Sequence, residues 1–254
     1  NELHDEVKWI NEQREIENDA DETTNRRRPP LKLINWAGDS SYVSNVDQWY
    51  EDFKDVTART WMNLHDVPKK CESAFVVKGS INSRKQLWKT HMFAENRGAI
   101  ASVISRLMDD TLLTQQKLVI REFERYERFN VESVPGHPVI NEWRWFAYKG
   151  QVLAGGFYWS QFEDEIDEAK AWLDIGGKES SLQSSKRFAE SIAARLHNLG
   201  RDAFVAIDVA NRVNLTGKFD WRLIELNDGC MAGLSCTEPK ELYKALYDAL
   251  VGTV

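Results

Sequence analysis

Long apolar runs, paired cysteines and a basic surplus are all missing from this sequence. No uninterrupted apolar stretch approaches the roughly 20 residues that cross a bilayer. No positively charged start leads into an apolar signal segment either, so no membrane partner is expected. The three cysteines, Cys71, Cys230 and Cys236, are odd in number and lack Cys-x-x-Cys spacing. That argues against a disulfide framework or a cysteine zinc site and suits a reducing cytoplasm. Lys and Arg number 33 against 40 Asp and Glu, a net charge of −7. Such a balance disfavours a surface built for nucleic acid and leaves that role only to a local basic cleft. Six prolines and 14 glycines exclude collagen-like and low-complexity architecture. The five histidines are dispersed, with no HxH or HExxH pair, and no GxSxG elbow or GxxxxGK[ST] loop occurs.

What is present is ordinary globular material: 254 residues, 42% hydrophobic and 29% charged, with ten tryptophans for packing or for flat ligands. The length suits one large domain or two closely packed ones. Residues 1–30 stand apart as a charged segment or short helix, with Leu3, Val7 and Ile10 at helical spacing and a closing Arg26-Arg27-Arg28-Pro29-Pro30. That arginine run is expected to be a solvated linker. Residues 31–72 form a reduced N-terminal region, and 73–254 hold the main domain. Helices are predicted over 46–62, 99–108, 184–199 and 238–251. Strands are predicted over 73–78, 117–123, 141–148, 151–159, 203–210 and 219–227, with Lys149-Gly150 a two-residue hairpin turn. Several strands are joined by hairpins rather than helical crossovers, which is an α+β pattern with antiparallel sheets.

The most informative stretch is Phe204-Val-Ala-Ile-Asp208-Val-Ala followed by Phe219-Asp-Trp-Arg-Leu-Ile-Glu225-Leu-Asn227. Alternate residues of a strand share a face, so Leu223, Glu225 and Asn227 are expected on one side and Arg222, Ile224 and Leu226 on the other. A hairpin centred on Thr216-Gly217 sets Asp208 directly opposite Glu225, with Asn227 one step along. Two carboxylates this close repel unless a cation lies between them. Two carboxylates and an amide oxygen are a hard, all-oxygen set that suits Mg²⁺ completed by phosphate oxygens. Against this stands the reading in which each acid is satisfied by an arginine, and a one-residue slip would separate the pair.

Cations for a polyphosphate are also at hand. Lys78 ends an apolar strand and leads into Gly79-Ser80-Ile81-Asn82-Ser83-Arg84-Lys85, then Trp88-Lys89, a segment able to wrap phosphate or to be a plain surface turn. Arg121 and Arg144 lie inside apolar strands, where a cation needs an anionic partner, either a ligand or a cross-strand glutamate.

In order, Phe-Val-Val-Lys78-Gly-Ser, Leu-Val-Ile-Arg121-Glu-Phe-Glu, Asn-Glu-Trp-Arg144-Trp-Phe-Ala-Tyr-Lys-Gly, Ala-Ile-Asp208-Val and Ile-Glu225-Leu-Asn227-Asp-Gly resemble the ATP-grasp superfamily. More narrowly they resemble its phage and bacterial clade marked by two arginines and a lysine, over roughly Ser73 to Leu250. The resemblance implies two α+β subdomains gripping ATP between antiparallel sheets. It implies Lys78 on the α/β-phosphates, Lys85 or Lys89 in a small loop over them, and Glu122, Phe123 and Glu124 as the adenine hinge through backbone groups. Arg121 and Arg144 would hold phosphates or a substrate carboxylate, and Asp208, Glu225 and Asn227 would hold Mg²⁺. The second lysine is not singled out, and residues 1–72 are a short stretch for a complete substrate domain.

The activity implied is an ATP- and Mg²⁺-dependent ligase that joins a carboxylate to an amine through an acyl phosphate. This chemistry asks for positioning and charge neutralisation rather than a dedicated base. Two alternatives stand beside it: a nucleotidyl- or phosphotransferase acting on nucleic acid or an alcohol, and a non-catalytic nucleotide- or partner-binding module.

Overall fold

Apolar alternation builds two four-stranded antiparallel sheets that face one another across a cleft. A computed structural model describes residues 2–20, 33–81, 87–111, 113, 116–131, 139–213 and 219–252. Arg26 to Arg28, Lys85 and Thr216-Gly217 lie outside the described residues. In chain order the elements are α1 (Glu2–Ala20), α2 (Ala37–Ser44), α3 (Val46–Phe53), β1 (Thr60–Trp61), β2 (Phe75–Gly79), β3 (Phe93–Ala94), α4 (Ile100–Met108), β4 (Leu118–Glu122), β5 (Arg128–Phe129) and β6 (Val139–Ile140). After them come β7 (Glu142–Tyr148), β8 (Gln151–Phe157), α5 (Glu163–Glu168), α6 (Lys178–Asn198), β9 (Val205–Val213), β10 (Phe219–Asp228) and α7 (Pro239–Val251). The strand orders are β1-β4-β2-β3 and β10-β9-β7-β8, with β5 and β6 a separate pair, which is the expected α+β architecture.

In the first sheet Phe75, Val77 and Ile120 point into a core shared with Ile100, Val103 and Leu107 of α4. The period of two then puts Val76, Lys78 and Arg121 on the opposite, cleft-facing side. In the second sheet Trp143, Trp145, Val205, Ile207 and Val209 pack against Trp49 and Phe53 of α3 and Ile192 and Leu196 of α6. Glu142, Arg144, Phe146 and Tyr148 alternate to the other face. Phe146 and Tyr148 are covered there by Leu242 and Leu246 of α7, which leaves the charged half of that face toward the cleft.

Three elements differ from expectation. The helix predicted over 46–62 ends at Phe53. Beyond it the β-branched Val56 and Thr57 are drawn across to β10: the Leu223 amide donates to the Val56 carbonyl at 2.8 Å, and Thr57 forms a parallel bridge with Leu223. Thr60 and Trp61 then pair with Arg121 and Ile120. The helix predicted from 184 starts at Lys178, because its first turns bury small serines, Ser181 and Ser185, rather than an apolar stripe. Lys149-Gly150 does form the two-residue turn, with φ of 47° and 78° as a type I′ hairpin requires.

The β9–β10 ladder holds the third difference. From the loop end it runs Val213↔Phe219 to Val209↔Leu223, then resumes as Asp208↔Glu225, so Ile224 is a bulge. An extra residue flips the alternation. Leu223 and Leu226 are therefore both buried in the main core, instead of lying on opposite faces as uniform alternation predicts. Asp208 does lie opposite Glu225, by way of a wider loop and a bulge rather than a regular ladder.

Candidate functional site

Between the sheets lies a cavity of about 540 Å³. Lys78 and Arg121 enter it from the first sheet, Ile224 and Glu225 from the second, and residues 122–126 run along its edge. Trp88, Phe123 and Trp159 give it aromatic walls, with Trp88 and Phe123 rings 6.3 Å apart. Six residues named from sequence thus share one cavity: Lys78, Arg121, Glu122, Phe123, Glu124 and Glu225.

Lys78 and Glu225 meet across the cleft in a salt bridge, both side chains mostly withdrawn from solvent. This contact joins strands of different sheets. Arg144 and Asp208 are cross-strand neighbours, and Nε and Nη2 of the guanidinium donate to the two carboxylate oxygens at 2.7 Å each. Asp208 is fully buried. Arg144 also donates to the Gly233 carbonyl at 2.8 Å and stacks over Tyr158 at 4.7 Å. Burial opposes its charge, yet attraction to Asp208 outweighs that and holds its pKa above the ordinary arginine value. Asp208 and Glu225 are thus each met by a basic side chain. Asn227 pairs with Ala206 one step beyond Glu225, so its face is the one expected.

Arg121 is different, because its hydrogen-bond partners are neutral. Nη1 donates to the Ile224 carbonyl and Nη2 to the Thr57 hydroxyl, both at 2.6 Å, while Nε is buried without a hydrogen-bond partner. A buried cation held by neutral oxygens favours an anion in the adjoining space.

The acids along the cavity edge are braced. Glu122 takes two hydrogen bonds from Arg59 at 2.6 and 2.7 Å and one from Ser73, which hold its pKa below the ordinary value against the opposing effect of burial. Glu124 accepts from Arg212 at 2.6 Å and from the Tyr126 hydroxyl at 2.8 Å. Withdrawal from water, together with Glu124, pushes the Tyr126 hydroxyl well up. Nearby Glu127 accepts from Asn141 at 2.8 Å, and burial raises its pKa.

Lys89 is exposed in a single turn of π-helix, Trp88–Met92, and lies outside the cavity lining, as do Arg144, Asp208 and Asn227. Among the described residues no group of three or more His, Cys, Asp or Glu is placed to hold a metal. A metal at this hairpin therefore depends on the Asn227 amide and on ligand oxygens. Sequence reasoning passed over Glu142, which is 2% exposed and lines the cavity. The signal was there in the period of two that puts Glu142 and Arg144 on one face. It also passed over Trp88, Trp159 and Tyr126, whose convergence has no local signature. No helix among the described residues is long and apolar enough to cross a membrane.

Residues 63–246 match a family of ATP-grasp domains, the third family of the clade named for two arginines and a lysine. Among solved structures, D-cycloserine synthetase DcsG is 15% identical, with 87% of this chain and 75% of that chain covered and a TM-score of 0.51. C-terminally truncated Cdc123 from Schizosaccharomyces pombe is 14% identical over 78% of this chain and 87% of that one, with a TM-score of 0.40. The D-alanine-D-alanine ligase from Coxiella burnetii is 10% identical over 82% and 53%, also at 0.40. No curated protein matches the chain.

Proposed function

Since the chain belongs to the ATP-grasp family whose model spans residues 63–246, we propose that it is an ATP- and Mg²⁺-dependent ligase joining a carboxylate to an amine. The observation that carries this reading is the cleft itself. Lys78 and Glu225 close on each other from two sheets, beside a buried Arg121 whose hydrogen-bond partners are neutral. A polyanion between the sheets would supply the missing negative charge.

In this reading the backbone of residues 122–124 and the walls of Trp88 and Phe123 hold the adenine. Lys78 exchanges Glu225 for phosphate oxygens, and Arg121 contributes positive potential behind them. Lys85 or Lys89 lies over the phosphates. Arg144, aligned by Asp208, faces the reacting carboxylate. The donors Asp208, Glu225 and Asn227 are all oxygen, as Mg²⁺ requires, and the release of Glu225 from Lys78 frees it for the ion. Bound there, Mg²⁺ would neutralise charge on the phosphates. The substrate carboxylate oxygen attacks the γ-phosphorus as the bond to ADP breaks. The amine nitrogen then attacks the acyl carbon, and phosphate leaves as the nitrogen loses a proton. Positive side chains around the transferring group stabilise its charge without further reorganisation.

Thermal unfolding with ATP, with and without Mg²⁺, tests the nucleotide site, since ligand at 100 times its Kd adds about 2.7 kcal/mol. A Mg²⁺-dependent rise in wild type that is lost in Glu225→Ala supports it. Phosphate release across panels of acids and amines then tests the ligase reaction. Absence of any rise would sink the reading, and a lysine–AMP adduct under denaturing mass spectrometry would instead favour nucleotidyl transfer.

A further inference from the structure

The bulge at Ile224 decides which way Glu225 points. Between Val213↔Phe219 and Val209↔Leu223 the ladder has one register; continued unbroken, it would set Glu225 opposite Ile207, on the core-facing side. The extra residue returns Glu225 to the cleft, opposite Asp208. A bulge interrupts the ladder, and the backbone groups it frees must be satisfied elsewhere. Here the satisfaction comes from outside the hairpin. The Thr57 hydroxyl donates to the Leu223 carbonyl at 2.6 Å, and Arg121 Nη1 donates to the Ile224 carbonyl at 2.6 Å. Arg121 Nη2 also donates to the Thr57 hydroxyl at 2.6 Å, so the two donors form one chain of hydrogen bonds. Thr57 is 1% exposed and does not line the cavity, which removes it from direct contact with any ligand there.

We infer that Thr57, working with Arg121, is a positioning residue that fixes the bulge and so presents Glu225 to a cation in the cleft. Arg121 then links the first sheet to the metal-binding strand of the second, in addition to lending charge. The inference rests on the proposed Mg²⁺–ATP site.

The test is a Mg²⁺ titration of ATP-saturated protein, followed by its thermal midpoint, together with ATP affinity measured without Mg²⁺. Loss of a group that orients a metal ligand typically costs on the order of 10- to 100-fold in metal affinity. Thr57→Val removes the hydroxyl at nearly constant volume. It should raise the Mg²⁺ concentration for half the rise by that factor, and leave metal-free ATP affinity within about twofold. Thr57→Ser, which keeps the hydroxyl, should restore the wild-type titration, and Thr57→Ala should reproduce the defect. Amide exchange at Ile224 and Glu225 should be faster in Thr57→Val without any ligand. An unchanged Mg²⁺ titration, an equal loss of metal-free ATP binding, or unchanged exchange at these two amides would overturn the positioning role alone. A wild type that ignores both ATP and Mg²⁺ would overturn the nucleotide reading, and this role with it.

Discussion

Arg144 and Asp208 face each other on neighbouring strands, and two hydrogen bonds of 2.7 Å join the guanidinium to both carboxylate oxygens. Removing one member of such a buried pair strands the other's charge, which costs about 3 to 5 kcal/mol. Asp208→Asn should therefore lower stability by about that amount in urea unfolding. Arg144→Met with Asp208→Asn should recover much of the loss, because no buried ion then lacks its counterion. A single Asp208→Asn variant as stable as wild type would contradict the pairing.

Lys78 and Glu225 make separable contributions under the proposed function. Lys78→Met should weaken ATP binding both with and without Mg²⁺, by on the order of tenfold or about 1.4 kcal/mol. Glu225→Gln should remove the Mg²⁺ dependence while leaving metal-free binding largely in place. Calorimetric titration in both conditions distinguishes the two patterns, and identical losses would deny the division of roles.

The Glu122–Arg59 contact has a defined pH window. The folded-state pKa of Glu122 lies below its ordinary 4.5, so the group adds stability that is complete above that value and is lost as pH falls through the folded pKa. Glu127 has the opposite sign: burial raises its pKa, so its contribution is complete below the ordinary value and fades as pH rises through the raised one. Glu122→Gln should flatten the acid limb of a stability–pH curve, and Glu127→Gln should add stability near neutral pH. An acid limb as steep in Glu122→Gln as in wild type would remove Glu122 from its origin.

Two adjacent glycines of β8 should respond differently to alanine. A Cβ at Gly156 would come within 2.1 Å of the Cys236 sulfur, and overpacking of this kind typically costs about 1 to 3 kcal/mol. Cys236→Ala should relieve it. A Cβ at Gly155 would lie 2.4 Å from the Arg144 carbonyl oxygen, a backbone atom that no side-chain change can remove. Thermal midpoints of Gly155→Ala, Gly156→Ala and Gly156→Ala/Cys236→Ala should show rescue only at Gly156.

Local pattern made much of this protein legible. Alternation in Phe75–Gly79, Leu118–Glu122 and Glu142–Tyr148 marks strands, because one face of each is buried against a helix layer. Lys149-Gly150 marks a hairpin because both residues must take positive φ. The order of Lys78, Arg121, Arg144, Asp208, Glu225 and Asn227 was enough to indicate the family, and residues 63–246 match its model. The carboxylate pair was legible for an incomplete reason: two departures from a regular hairpin, a wider loop and a bulge, cancel at Asp208 and Glu225.

What local pattern does not encode is which distant groups satisfy one another. That Lys78 meets Glu225, that Arg144 binds Asp208, and that Thr57 leaves a helix to hold Leu223 depend on two sheets closing on a shared cleft. Spacing along the chain sets which face a side chain takes. Its charge partner is chosen by burial, which makes every enclosed ion or carbonyl find a counterpart wherever the fold supplies one.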